Sequence, residues 1–194
     1  VLPENLMRVL SFPQHAVPPA LQVQVVALEH QAWPRSAAEP SNGHDPALHP
    51  VTMLLVDDGE VVLASLSILS KEIRHDGRRY AASGLSAVVT DQSHRHRGHG
   101  HRLVTAAREQ IAASGADLGI FTCDRTLAGF YQRAGWQILP GAVLIGGTPD
   151  DPFPSDQFDK VVVAALFTDR ARDHAASFSQ ARIELYPGQI DRLW

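Results

Sequence analysis

Residues 84–115 place the strongest constraint on what this chain can fold into. The apolar run LSAVVT at 85–90 has the make-up of a short buried strand. From Arg102 onward, RLVTAAREQIAAS repeats apolar residues at Leu103, Ala107 and Ile111, the spacing of one helix face, and Gly115 is placed to stop that helix. Between strand and helix lies DQSHRHRGHG. A strand that turns through glycines into a helix leaves the N–H groups of the first helical turn unpaired. Those groups and the helix dipole together make a site for phosphate. Gly98 and Gly100 would let a pyrophosphate approach the backbone without Cβ interference, and Arg95, Arg97 and Arg102 add positive charge.

The same stretch holds His94, His96, His99 and His101, four of the chain's ten histidines, which raises the question of a metal. Histidines at i and i+2 cannot share one helix face, and no acidic residue or cysteine lies within the cluster to complete a familiar ligand set. The histidines fit better as polar, partly protonatable neighbours of an anion, and no native metal site is expected.

The rest of the chain reads as mixed α/β without internal repeats. NLMRVLSF suits a first strand, and PPALQVQVVALEHQAW an early helix carrying Leu21, Val25, Leu28 and Trp33. Residues 34–50, rich in Pro, Ser, Asn and Gly, read as a loop. VTMLLVDDGEVVLASLSIL gives two apolar runs joined at Asp-Asp-Gly, and EIRHDGRRY joins a second strand pair at Asp-Gly. ADLGIFTC reads as a strand, DRTLAGFYQRAG as a helix with Asp124 at its N-cap and Gly135 at its end, and DKVVVAALF as a late strand.

With 194 residues, 44% hydrophobic, and a formal charge of −4, the chain is expected to form a single domain over 1–194, with about 168–194 as a C-terminal extension. The bulk charge argues against a nucleic-acid partner. The apolar runs are far short of the roughly 20 residues that cross a membrane, and no signal segment opens the chain, so a cytoplasmic protein without a membrane partner is the expectation. One cysteine, Cys123, excludes an internal disulfide framework. The lack of an initiator Met implies that Val1 is not the natural start.

The series Arg95-x-x-Gly98-x-Gly100 between strand and helix resembles the acyl-CoA pyrophosphate motif of the GCN5-related N-acetyltransferase (GNAT) superfamily. A second block, DRTLAGFYQRAGW at 124–136, is similar to that family's helix carrying Phe-Tyr-x-x-x-Gly-Phe. The resemblance covers about residues 84–138. It implies the GNAT acyl-CoA N-acyltransferase fold: a mixed, mostly antiparallel sheet with splayed central strands, flanked by helices. It also implies acetyl-CoA as co-substrate and acyl donor, with the pantetheine arm bonding to main-chain groups of Val88, Val89 and Thr90 as an added strand would. The pyrophosphate would sit on backbone amides from Arg97 to Arg102, a stretch that includes His99 and His101, with Arg95, His96 and Asp124 also among the cofactor contacts. Tyr131 occupies the position of the general acid that protonates the leaving thiolate. Many members carry a glutamate on the strand entering the motif; here Ser86 stands at about that place, and its hydroxyl is too weak a base to act alone.

The acceptor is expected to be a small cationic amine. GTPDDPFPSDQFDK carries Asp150, Asp151, Asp156 and Asp159 against one lysine, which reads either as an attractor of a polycationic substrate or as a solvated acidic loop. The Thr148-Pro149-Asp150-Asp151 segment, Gly135-Trp136 after Tyr131, and an acidic residue shortly before Trp194 resemble the aminoglycoside 2'-N-acetyltransferase branch. That resemblance implies Asp150, Asp151, Asp191 and Trp194 as substrate contacts. Two further readings stay open, a transferase for a longer acyl-CoA and a non-catalytic acyl-CoA-binding sensor. The resemblance is compatible with a homodimer, although no residue pattern signals one.

Overall fold

The computed structural model describes residues 6–34, 43–186 and 193–194. Strand β1 (Arg8–Pro13) leads to helix α1 (Pro19–Ala32), which opens on Pro19, where a missing N–H costs nothing and the fixed φ suits a helix start. Strands β2 (Val51–Val56) and β3 (Val62–His75) form the first expected hairpin, whose turn is tied by the Asp57 carboxylate accepting from the amides of Gly59 and Val61 at 2.9 and 2.8 Å. Strand β3 then turns through Asp76 and Gly77, both at positive φ, into β4 (Arg78–Thr90), the two-residue geometry whose twist matches the strands it joins.

Helix α2 (His99–Ala113), strand β5 (Leu118–Asp124) and helix α3 (Ala128–Arg133) follow. After them come β6 (Gln137–Ile138), β7 (Val143–Gly147), β8 (Pro152–Pro154), β9 (Lys160–Leu166), the short helix α4 (Asp169–Asp173) and β10 (Arg182–Glu184). The larger sheet runs β1-β2-β3-β4-β5-β9-β6, with every pairing antiparallel except β4 with β5. This matches the mixed, mostly antiparallel sheet expected from the sequence. A smaller sheet orders β10-β7-β8.

Alternation along the strands decides which helix covers which face. Met53 and Leu55 of β2 pack with Leu103, Val104, Ala107 and Ile111 of α2, whereas Leu54 and Val56 pack with Leu21, Val25 and Leu28 of α1. On β5, Phe121 and Cys123 face the α2–α3 side, while Leu118 and Ile120 face a cluster that includes Leu144 of β7, Ile183 of β10 and Trp194. Burying a side chain of this size is worth about 1.5–3 kcal/mol, so these two apolar layers fix the sheet between them.

Several sequence-level expectations need correction. The run at 84–90 is no separate short strand: it is the distal half of the 13-residue β4. Helix α2 begins at His99, three residues before Arg102, so Gly100 and His101 lie inside its first turn. Asp124 ends β5, and a 3-10 turn over Arg125–Leu127 intervenes before α3; its carboxylate makes no cap bond because Lys160 Nζ donates to it instead, at 2.9 Å. The smaller sheet was not foreseen. Its strands are three to five residues long and include Gly146, Gly147 and two prolines, a composition that reads as loop.

Candidate active site

The site starts where β4 and β5 part. Their parallel ladder consists of Ala82 with Leu118 and Ser83 with Gly119; β4 continues seven residues beyond Ser83, and among the described residues no strand pairs with that stretch on its β5 side. On its β3 side the ladder is interrupted as well: Ser67 pairs with Ser86 and Ser65 with Val89, so Ala87 and Val88 oppose the single Leu66. This is a β-bulge, and Ala87 adopts it at φ +51°, a left-handed conformation uncommon for a residue with a Cβ. The bulge releases Ala87 and Val88 from regular pairing at the mouth of the splay. No glycine or proline marked it in the sequence.

On one side of the splay is a cavity of about 510 Å³ between β4 and the start of α2 and α3. Val88, Val89 and Thr90 line one wall, the sequence expected for a ligand that adds to a strand edge. Gly98 caps α2 at φ +82° with open space where a Cβ would point. Gly100 answers a different need, since its Cβ would lie 2.7 Å from Thr90 Oγ1 and would hold the helix off β4. The first intrahelical bond runs from the Arg102 amide to Gly98 O at 2.9 Å, which leaves the amides of His99, Gly100 and His101 without a partner among the described residues. An unpaired strand edge leading to three free amides and an open glycine fits an extended ligand ending in a pyrophosphate.

The basic residues divide. Arg95 and His96 line this cavity, as do His99 and His101. Arg102 does not, because its guanidinium donates to Met7 O at 2.9 Å, and its amide is consumed by the helix; Arg97 is exposed outside the lining. Of the amides expected to meet the pyrophosphate between Arg97 and Arg102, that of Arg102 is the one taken up by the helix. His94 is within 2.9 Å of the Asp91 carboxylate, and hydrogen bonds from Ser93 and His94 hold that carboxyl down at about 2. Burial, followed by the charges of His94, Arg97 and Arg102, holds His99 below the usual imidazole range. Among the described residues no group of three or more His, Cys, Asp or Glu side chains converges on a metal position.

On the other side lies a second cavity, about 480 Å³, lined by Ser86, Leu85, Cys123, Asp124, Lys160 and Trp194 among others. Val88, Leu127 and Tyr131 belong to both cavities. Tyr131 is 6% exposed, with its ring edge-on to Phe121 and Phe130 at centroid distances of 5.1 and 5.0 Å. Burial, reinforced by Cys123 and Asp124, raises its phenol well above the usual range, so it stays protonated. Burial likewise pushes the Cys123 thiol up to about 11.

Asp124 lines this second cavity and not the first, where the sequence had placed it with the cofactor contacts. Asp150 and Asp151 are exposed in the β7–β8 turn, which closes on itself through bonds between Thr148 and Asp151, and neither lines a cavity with the other site residues. Asp156 pairs with Arg182 at 3.0 Å and Asp159 with Arg125 at 2.7 Å. The acidic run is thus spent on turns and ion pairs. Asp191 lies outside the described residues. The Trp194 indole is 5% exposed and packs on Gly84, and Trp194 O accepts from the Thr122 amide at 3.4 Å, so this residue wedges the base of the splay from the β5 side.

A family profile described as an acetyltransferase (GNAT) domain matches residues 19–139. No curated protein sequence matches the chain. Solved structures with the same fold include a GCN5-related N-acetyltransferase from Kribbella flavida (18% identity, TM-score 0.55, covering 70% of this chain and 34% of that one). Escherichia coli ElaA (14%, 0.56, 82% and 99%) and an acyl-CoA N-acyltransferase from Pseudomonas aeruginosa (15%, 0.57, 82% and 99%) are also similar. The chain spans about a third of the Kribbella protein, and at these identities the likeness establishes the fold alone. Among the described residues no helix is long and apolar enough to cross a membrane.

Proposed function

The chain belongs to the acetyltransferase (GNAT) domain family, which uses acetyl-CoA or another acyl-CoA as co-substrate, and on that premise we propose that it transfers an acetyl group from acetyl-CoA to the amine of a small molecule. The observation that carries this reading is that Tyr131 and Val88 line both cavities at the point where β4 and β5 separate. A donor lying along Val88, Val89 and Thr90, its pyrophosphate on the amides of 99–101, would present its acyl end there, next to an acceptor in the second cavity.

Bound acetyl-CoA supplies the acetyl group as a thioester, activated toward nitrogen. The chain has four tasks: to orient the amine, remove its proton, stabilise the developing oxyanion and protonate the thiolate. Tyr131, kept protonated by burial and with no hydrogen-bond partner among the described residues, donates to the sulfur. The bulge makes the Val88 amide available to the oxyanion. Asp124 is the only side-chain carboxylate among the described residues lining the acceptor side and takes the place of the missing strand glutamate, with Ser86 orienting a water beside it. The ammonium first gives one proton to Asp124; as the amine nitrogen bonds to the carbonyl carbon and the C–S bond breaks, Tyr131 gives its proton to CoA sulfur and the second proton on nitrogen restores the phenol, so the amide and the CoA thiol form with one proton left on Asp124 for solvent.

The aminoglycoside assignment gains no support from this geometry, since Asp150 and Asp151 stand away from the acceptor cavity. Calorimetric titration with acetyl-CoA, followed by CoA release with a panel of amines, tests the proposal. Micromolar or tighter binding with Tyr131-dependent release supports it; absence of acetyl-CoA binding overturns it.

A further inference from the structure

The acceptor cavity differs from what a polycationic amine requires. Its mouth carries Trp33, Leu127 and Phe158, each 45% exposed, and Phe158 sits 5.3 Å from Phe153 in a tilted ring contact. Leu85 and Trp194 continue the apolar surface inward. Large apolar side chains left exposed around a concave site mark a place where an apolar ligand body is buried. Trp33 arrives from the end of α1, Leu127 from the turn before α3, and the two phenylalanines from the β8–β9 region, so three separate segments contribute to one apolar rim.

Side-chain charge in the cavity is balanced. Among the described lining residues Asp124 and Lys160 carry the only charged side chains. They face each other at the last rung of the β5–β9 pairing, with Lys160 Nζ 2.9 Å from Asp124 Oδ1. The neighbouring Arg125–Asp159 pair adds no net charge. A polycation entering here meets no side-chain carboxylate that lacks a partner. A simple monoamine that engages Asp124 would draw it from Lys160 and leave that ammonium without its partner, a modest cost because the Asp124 side chain is 62% exposed. A zwitterion avoids the loss: its ammonium replaces Lys160 on Asp124 while its carboxylate replaces Asp124 on Lys160. In an α-amino acid the two charges are held about as close as the two they would engage.

We propose that the acceptor is an aromatic α-amino acid, bound with its ring at the Trp33–Phe158 rim, its α-ammonium on Asp124 and its α-carboxylate on Lys160. This inference rests on the transferase reading above and names its substrate class. The product is the N-acetyl amino acid; the new amide C–N bond replaces the thioester C–S bond, one ammonium proton leaves through Asp124, the thiolate takes the Tyr131 proton, and the second proton on nitrogen restores the phenol.

The test uses phenylalanine, phenethylamine, phenylalaninamide, alanine and spermidine with the full chain. Binding is read by calorimetry on the CoA-saturated protein, and transfer by mass spectrometry with acetyl-CoA. The expected result is binding and acetylation of phenylalanine with kcat/KM at least tenfold above each of the others. In Lys160→Met and Lys160→Gln the ratio of phenylalanine to phenethylamine should fall at least tenfold, and in Phe158→Ala the ratio of phenylalanine to alanine should fall. Equal or better use of phenethylamine or spermidine, or no phenylalanine binding to the CoA-loaded protein, overturns the inference while leaving the transferase reading intact. Binding of phenylalanine without transfer to any amine would overturn the transferase reading and leave the assigned ligand class standing.

Discussion

The two cavities flanking Tyr131 are built by opposite means. The nucleotide-side cavity takes its polar chemistry from contiguous backbone: the free edge of β4 at 88–90 and the unpaired amides at 99–101, within fourteen residues of chain. The acceptor-side cavity takes its chemistry from side chains of α1's end, β4, β5, the β8–β9 region and Trp194. Backbone donors at a helix start are tolerant of side-chain identity, so one motif serves a common ligand feature. Side chains gathered from distant segments are set one by one, and there specificity can diverge without disturbing the fold.

The largest expected effect tests the backbone side. Gly98→Asp places a Cβ at φ +82° and a carboxylate where the pyrophosphate should rest, and it should weaken acetyl-CoA binding about 10³-fold, or ~4 kcal/mol. Calorimetry on a variant shown folded by circular dichroism decides this, and near-normal affinity would remove the cradle from the assignment. At the junction, Tyr131→Phe should lower kcat about 10²-fold while leaving acetyl-CoA affinity within about twofold. An unchanged kcat would make Tyr131 a packing residue.

The contrast between cavities sharpens with the carboxylates. Asp124→Asn should reduce turnover roughly tenfold or more, whereas Asp150→Asn and Asp151→Asn together should leave it within about twofold, because those side chains sit in a turn away from the site. The reverse order would return the acidic loop to the substrate. Smaller still, Ala87→Gly removes a Cβ from the left-handed bulge and should stabilise the fold by about 0.5–1 kcal/mol in denaturant unfolding; destabilisation would speak against the bulge.

The smallest effect concerns His99. Its folded value is depressed, so between that value and the unfolded value of about 6.5 the unfolded chain holds a proton that the folded one lacks. Stability from this group is complete above about pH 6.5 and is lost as pH falls through the folded value. A bound pyrophosphate favours the charged imidazole, so CoA binding near pH 6 should take up a fraction of a proton, measured by titrating in buffers of different ionisation enthalpy. His99→Asn should remove that uptake; an unchanged buffer dependence would assign it to another group.

The sequence determined what depends on local order. Spacing of Leu103, Ala107 and Ile111 marked α2, Asp58-Gly59 and Asp76-Gly77 marked the hairpins, and Gly98 with the strand before it marked the strand-to-helix turn, since turn chemistry and helical periodicity act over a few residues. Tertiary structure alone decided the rest. That Asp124 would face Lys160 followed from β9 pairing beside β5, across 36 residues of chain. That Arg102 would turn to Met7, that the acidic run would close a turn and pair with arginines, and that Trp33, Phe158 and Trp194 would meet at one cavity were likewise set by the packing of distant segments. A side chain's partner depends on what the fold brings within a few ångströms, and such contacts leave no periodic trace in the sequence.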